Sequence, residues 1–379
     1  LSLNGEAWGL YLAVEVYNDS YEERVSGDTS GALYNVKMSM GMDMQGGMQG
    51  RPQMGQGGQD MTLPEGTEGM VVPEGGEAMM PPEGAEGMTP PEGEEGSISP
   101  QDRPDLSNLP QDFTENGFRG NNNMGSRNGG SLVYTDDEVS SYSDIFDNVV
   151  GKSDEASETH VVEALKALST GEDLEEYFGV DEILRYLAAH TVVANFDSYS
   201  SSMAQNYYIY EKEGLLTILP WDYNMAWGGF QGSDASTVVN FPIDTPVLGV
   251  ELSERPLIEK LLQNEDYLAS YHSYLEELMT EYFAEGQFEA KVRELDSLIK
   301  SYVESDPTAF CTYEEYQKAV EALIQLGTLR YESIMGQLNG EIPATTAGQE
   351  ASPELLISSD TVNLSDLGNS KFGKEGMRP

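Results

Sequence analysis

Between residues 181 and 194 the apolar side chains Ile183, Leu184, Leu187 and Ala188 recur on one side of a helical period, and Asp181 is placed to cap the N-terminus. The helix gives way to a polar loop through Asn195 and Asp197. The period then changes. Residues 207–210 and 215–219 are β-rich runs, and Glu211-Lys212-Glu213-Gly214 between them reads as a hairpin turn containing glycine. Pro220 lacks the N–H that a further ladder bond needs, so the second strand stops there. Asp222 follows at once.

The same reading applies along the chain. Residues 8–17 alternate large apolar with small and charged groups and predict a strand, and residues 31–37 predict a second. Structure resumes at Leu132, with Asp136 as an N-cap. Tyr142, Ile145 and Phe146 predict a short amphipathic helix together with Val149 and Val150. Val161, Val162, Leu165 and Leu168 form a helical stripe, and residues 173–178 predict another short helix. Residues 227–230 read as a flexible loop, and residues 240–246 as extended and pinned by proline. Helices are predicted at 256–263, 266–283, 288–303 and 313–338, and a loose Thr-, Ser-, Gly- and Pro-rich tail from residue 341.

Residues 39–130 have a different character. Gly, Met, Gln, Pro and Glu dominate, and Pro-Glu-Gly recurs at 64, 73, 82 and 91. A nine-residue period suggests a solenoid, but the repeats lack the aliphatic and calcium-binding positions a solenoid coil needs. Without apolar side chains to bury, an ordering entropy of ~1–2 kcal/mol per residue is not offset. The segment is therefore expected to be a disordered insert. Its glycines form no phosphate loop, because no Gly-Lys-Ser/Thr ending follows them.

Composition narrows the function. Twenty Lys and Arg against 66 Asp and Glu give a net charge of −46. No basic stripe is available to replace counterions on nucleic acid, and anionic membranes are disfavoured. Solubility, cations and basic partners are favoured. The single cysteine, Cys311, permits no internal disulfide and reads as a small apolar residue before a helix. The three histidines, at 160, 190 and 272, share no zinc-ligand spacing. No apolar run approaches the length of a membrane span. The chain opens on Leu1 inside a strand pattern without a signal segment, so the expectation is a fragment lacking its first strands and any export signal.

The hairpin folds its ends together, so Asp197, Asn206 and Asp222 can converge on one edge. Such a set either caps turns and helices or forms the polar pattern of a protein-kinase site. There, one Asp handles the hydroxyl proton, while Asn and a second Asp hold the Mg²⁺ that bridges the phosphates. Oxygen ligands suit a hard cation.

The residues that carry this pattern extend well beyond the three. Arg185-Tyr186-Leu187, Asn195-Phe196-Asp197-Ser198, Met203-Ala204-Gln205-Asn206-Tyr207-Tyr208 and Ile218-Leu219-Pro220-Trp221-Asp222-Tyr223-Asn224 resemble the spore-coat-protein-H (CotH) kinase family of atypical, secreted or surface-associated bacterial protein kinases. The resemblance also covers residues 8–15 and 239–340, nearly everything outside the insert. It implies an α+β, kinase-like two-lobed domain with a helical C-terminal half and the long insert described above. Residues 1–38 would supply incomplete N-lobe strands, 39–130 the insert, 131–340 the catalytic core and C-terminal helices, and 341–379 a flexible tail.

The resemblance further implies transfer of the ATP γ-phosphoryl group to Ser or Thr of spore-coat or cell-surface proteins, with Mg²⁺ or Mn²⁺. Asp197 would be the base, and Asn206 and Asp222 the metal ligands. The family usually carries Leu-Tyr-Lys on its second strand. Here Asn35 stands at the lysine position, and Lys37, two residues on, shares its face. Lys37 either reaches the phosphates or is an ordinary strand lysine. Glu15 either faces the site, as a second cofactor-binding candidate, or is a solvated strand end. The implied location is extracellular, at the cell surface or in the spore coat. Two other readings remain. One is a non-catalytic acidic coat protein that binds divalent cations. The weaker is a carboxylate-pair hydrolase using Asp197 and Asp222.

Overall fold

Six strands are described: β1 (Ser2–Leu3), β2 (Glu6–Ala7), β3 (Ala32–Val36), β4 (Val149–Val150), β5 (Tyr207–Lys212) and β6 (Leu215–Pro220). The last four form an antiparallel sheet in the order β4-β3-β5-β6. The computed structural model describes residues 10–37, 129–307, 309 and 311–368, together with the two short N-terminal strands. All belong to one unit built from Leu1–Met40 and Arg119–Pro379. Except for Gly129 and Gly130, the insert expected at 39–130 lies outside the described residues, as do Trp8 and Gly9.

Alternation along the strands decides what each sheet face meets. Tyr34, Val36, Tyr207, Ile209, Leu216 and Ile218 point into the main core. Leu33, Tyr208 and Tyr210 occupy the other face, beneath Tyr17, Leu219 and Trp221. The expected hairpin is present, with a tighter turn. Lys212 still pairs with Leu215, so only Glu213 and Gly214 turn, at φ 54° and 82°. Two successive positive φ values are the type I′ geometry that matches strand twist.

Eleven α-helices are described. They are α1 (Asp19–Ser26), α2 (Ser143–Phe146), α3 (Glu155–Thr170), α4 (Leu174–Tyr177), α5 (Val180–Val193), α6 (Ala235–Val239), α7 (Pro256–Leu262), α8 (Glu265–Leu278), α9 (Gln287–Ser305), α10 (Tyr313–Leu338) and α11 (Thr346–Ala351). The α+β class read from the sequence is therefore the class observed. The helix α5 is central: Ile183, Leu184, Leu187 and Ala188 are all buried in the main cluster, as their spacing requires. Each of the three larger side chains, Ile183, Leu184 and Leu187, contributes about 1.5–3 kcal/mol when removed from water.

Four local expectations need correction. Residues 10–17 form no strand, and Leu12 is 89% exposed. An alternating pattern becomes a strand only when a neighbour pairs with it, and no described residue does. Val149 and Val150 do not extend α2. They pair with Tyr34 and Leu33 as an edge strand. Asp181 lies in the first turn of α5 behind the cap position Gly179, and its carboxylate accepts from Arg185 and Tyr274. Finally, residues 341–368 are not loose. Ile342 and Val362 are buried, Val362 in a second cluster with Phe196, Val238, Val239, Phe241 and Leu326.

Candidate active site

The site starts from the C-terminal end of α5. A helix leaves its last four carbonyls without intrahelical partners. Here Arg330, fully buried on α10, donates to the carbonyls of Thr191 at 2.9 Å and Val192 at 3.4 Å. Its other amine donates to Val239 and Phe241 at 3.1 and 2.7 Å. The carbonyls of Val193 and Ala194 accept from the backbone N–H of Trp227 at 2.6 Å and of Gly228 at 3.3 Å. The loop behind Asp222 is thus docked on the same helix end that launches the loop to Asp197. A second buried arginine, Arg255, donates to the carbonyls of Tyr199, Ser201 and Glu254. Both satisfy backbone oxygens rather than carboxylates, the cheaper match where several carbonyls converge.

These contacts hold a strained stretch. Ala194, Ala204, Asn206, Asp222, Trp227 and Gln231 all have positive φ, between 46° and 60°. Each non-glycine residue there costs about 1–2 kcal/mol, and such strain gathers at functional sites.

Within it, the residues read from the sequence come together. The Asp197 N–H donates to Asn195 Oδ1 at 3.2 Å, which sets the turn. Asn206 Nδ2 donates to the Asp197 main-chain oxygen at 2.7 Å. Gln205 Nε2 donates to Asp197 Oδ1 at 3.1 Å. Tyr207 pairs with Pro220, so Asn206 and Trp221 each stand one residue beyond the last rung of the hairpin, and Asp222 comes next. With Nδ2 engaged, Asn206 has Oδ1 left as its ligand atom. Asp222 is exposed, in the left-handed conformation at the start of a turn over Tyr223–Met225.

The electrostatics follow from placement. The Asp197 carboxyl is half-buried, and its pKa lies above the ordinary aspartate value. Burial is the main cause. The Gln205 hydrogen bond opposes it, the charge of nearby Asp222 adds to it, and Asn206 opposes it again. Among the described residues no three His, Cys, Asp or Glu groups form a metal cluster. The donor set is instead one amide oxygen and one or two carboxylates. That suits Mg²⁺, which keeps few protein ligands and completes its shell with phosphates and water.

The remaining candidates are placed apart or differently. Val36 pairs with Tyr207, so Lys37 lies one residue past that rung, level with Asn206 at the same sheet end, and is exposed. Asn35 is 7% exposed and donates to the Tyr208 hydroxyl at 2.8 Å, on the face away from the main core. The Glu15 carboxylate is taken by Arg24 in a two-pronged ion pair, at 2.8 and 2.6 Å, which lowers its pKa. It does not sit on a strand. Asp244 pairs with His272 at 2.6 Å. The loop at 227–230 is anchored rather than free, since Trp227 packs its ring against Phe288 and Phe283 at centroid distances of 5.4 and 6.4 Å.

Sequence reasoning missed Gln205 as a carboxylate partner and the anchoring role of the two arginines. Their signal was the buried-helix context around each, visible only once the helices are packed. No helix among the described residues is long and apolar enough to cross a membrane.

Inner spore coat protein H of Bacillus subtilis (strain 168) is 22% identical over 160 residues, covering 40% of this chain. The chain spans 40% of the length of that curated relative. The family model described as CotH kinase protein matches residues 112–334. That match covers more than half of the chain and takes in α5, the hairpin and the loops bearing Asp197, Asn206 and Asp222, and so the chain belongs to the CotH kinase protein family.

Proposed function

We propose that the protein is an Mg²⁺-dependent protein kinase that transfers the γ-phosphoryl group of ATP to Ser or Thr hydroxyls of spore-coat or cell-surface proteins. The observation that carries this reading is the meeting of Asp197, Asn206 and Asp222 at one end of the β5–β6 hairpin, with Gln205 holding the Asp197 carboxylate. Family membership supports the chemistry, and the name of the relative supports a coat or surface location. The two-lobed kinase arrangement belongs to the same proposal.

Asp197 takes the proton of the acceptor hydroxyl. That oxygen bonds to the γ-phosphorus as the bond to the β–γ bridging oxygen breaks, and ADP leaves. The raised pKa makes Asp197 a stronger proton acceptor than a solvated aspartate. Asn206 Oδ1 and the Asp222 carboxylate would hold Mg²⁺, which when bound neutralises phosphate charge and polarises the transferred group. Lys37, at the same sheet end, would meet the phosphates in this reading. Glu15, held by Arg24, has no part in this account.

The test is transfer from γ-labelled ATP to a Ser-rich coat peptide and to the protein itself, with Mg²⁺ or Mn²⁺. Loss of a positioned base costs about 10²–10⁴-fold. Asp197→Asn should reduce transfer at least 100-fold by that measure, and Asp222→Asn, which removes a charged metal ligand, should reduce it as well. Transfer that survives both substitutions would refute the assignment. One observation favours a second reading, a non-catalytic coat protein that binds divalent cations: Asn35, buried and bonded to Tyr208, stands where the family usually has lysine. That protein would bind Mg²⁺ or Ca²⁺ equally well without nucleotide.

A further inference from the structure

Beneath the two carboxylate loops lies a buried imidazole that the proposed reaction does not use. His190 is on the last turn of α5 and is 1% exposed. Its Nδ1 lies 2.9 Å from the hydroxyl of Tyr223, the residue after Asp222. Its Nε2 lies 2.8 Å from the hydroxyl of Ser200, three residues after Asp197. Tyr186 stacks on the ring at 5.4 Å, which fixes its plane.

Each ring nitrogen thus meets a hydroxyl that can take the complementary role in either neutral tautomer. The Ser200 hydroxyl also lies 3.4 Å from the Asn195 main-chain oxygen. Asn195 in turn accepts the Asp197 N–H on its side-chain oxygen. A chain of contacts thus links Tyr223, His190, Ser200 and Asn195 to the backbone of Asp197. The backbone bonds from Trp227 and Gly228 to α5 fasten the far side of the Asp222 loop to the same helix.

We propose that His190 is a positioning residue: its ring joins the loop of Asp222 to the loop of Asp197 and holds the two carboxylates at one separation. The proposal rests on the kinase reading for what that separation serves, and on the hydrogen bonds alone for the joint itself. A chelated metal and an attacking hydroxyl must be held within a fraction of an ångström of their working geometry, and a supporting bond of this kind is how proteins achieve it.

Two readouts on the full chain test it. The first is hydrogen–deuterium exchange of wild type, His190→Phe, His190→Gln, Tyr223→Phe and Ser200→Ala, which needs no activity. Phenylalanine keeps the ring and removes both bonds. Loss of such bonds opens a local segment about tenfold more often. Exchange in His190→Phe should rise by about that factor at 195–201 and at 222–228 together, with β5 and α10 unchanged. Tyr223→Phe and Ser200→Ala should give part of the effect, and His190→Gln should recover part. The second readout is steady-state kinetics, where His190→Phe should lower kcat more than it raises KM for ATP. Exchange that rises at one loop only, everywhere at once, or nowhere overturns the joint. Unchanged kcat beside raised loop exchange overturns the positioning role. Absence of phosphate transfer and ATP binding in wild type would instead refute the kinase reading, while the exchange result still decides whether His190 joins the loops.

Discussion

Asn206 donates its side-chain N–H to the main-chain oxygen of Asp197 across 2.7 Å, so the candidate metal ligand is bonded to the backbone of the candidate base. Asn206 also sits at φ 58°, a conformation that asparagine tolerates better than most residues. Asn206→Ala loses the ligand oxygen, the bond and the backbone preference together. It should weaken Mg·ATP binding at least tenfold and cost about 1–3 kcal/mol of stability. Asn206→Asp keeps an oxygen but removes the donor, so it should retain more metal affinity than Asn206→Ala while losing comparable stability. Calorimetric titration and thermal melts check both.

Arg330 is the second prediction. Its guanidinium is fully buried without a carboxylate, and burial depresses its pKa to about 9. The four carbonyls it serves end α5 and flank Val239 and Phe241. Arg330→Met fills similar space but strips all four of their donor. A loss of about 3–5 kcal/mol is expected from breaking a buried polar network of this kind. Denaturant unfolding measures it. Arg330→Lys should fall short of rescue, because a point charge cannot reach carbonyls in two directions.

His190 supplies an acid-dependent term. Its folded pKa is depressed to about 4 by burial, from an ordinary value of 6.5. Between those values the unfolded chain takes up a proton that the folded chain refuses. The stability is therefore whole above pH 6.5 and declines as pH falls toward 4, by on the order of 3 kcal/mol at most. His190→Gln does not titrate. Its stability relative to wild type should improve steadily as pH is lowered through that window, in unfolding experiments at fixed ionic strength.

The acid limb of activity should report Asp197. The group must be ionised to accept a proton, and its pKa is raised first by burial and further by Asp222. Activity should therefore rise with pH through a value above that of a free aspartate. The Gln205 bond favours the charged form. Gln205→Leu should move the limb to higher pH. A limb that moves down, or stays, in kcat/KM against pH would contradict the assignment.

Much of this was legible from residue spacing. The one-sided stripe of α5 and the β-rich runs of the hairpin name their elements, and the hairpin alone brings Asn206 beside Asp222. What spacing could not convey was tertiary choice. Residues 10–17 look like a strand, but strand pairing belongs to the partner as much as to the segment. Val149 and Val150 continue a helical stripe on paper, yet the open edge of β3 captures them. The stretch beyond 341 is polar enough to look loose, and only the cluster around Phe196 and Phe241 explains why Val362 is buried. His190 and Arg330 read as unremarkable because their partners are hydroxyls and carbonyls scattered through the sequence. Asp197, Asn206 and Asp222 were legible because the helix end and the hairpin set their spacing, whereas the supports around them are fixed by packing.

The central claim is that Asn206 and Asp222 hold a metal for a nucleotide. The direct measurement is calorimetric titration of ATP into the wild-type chain with Mg²⁺ and with chelator, beside Asp197→Asn, Asn206→Ala and Asp222→Ala. ATP binding that needs Mg²⁺, falls at least tenfold in Asn206→Ala and Asp222→Ala, and survives in Asp197→Asn is the predicted result, since removing a ligand costs about that much affinity. No ATP binding, or binding indifferent to Mg²⁺ and to Asp222, would contradict it.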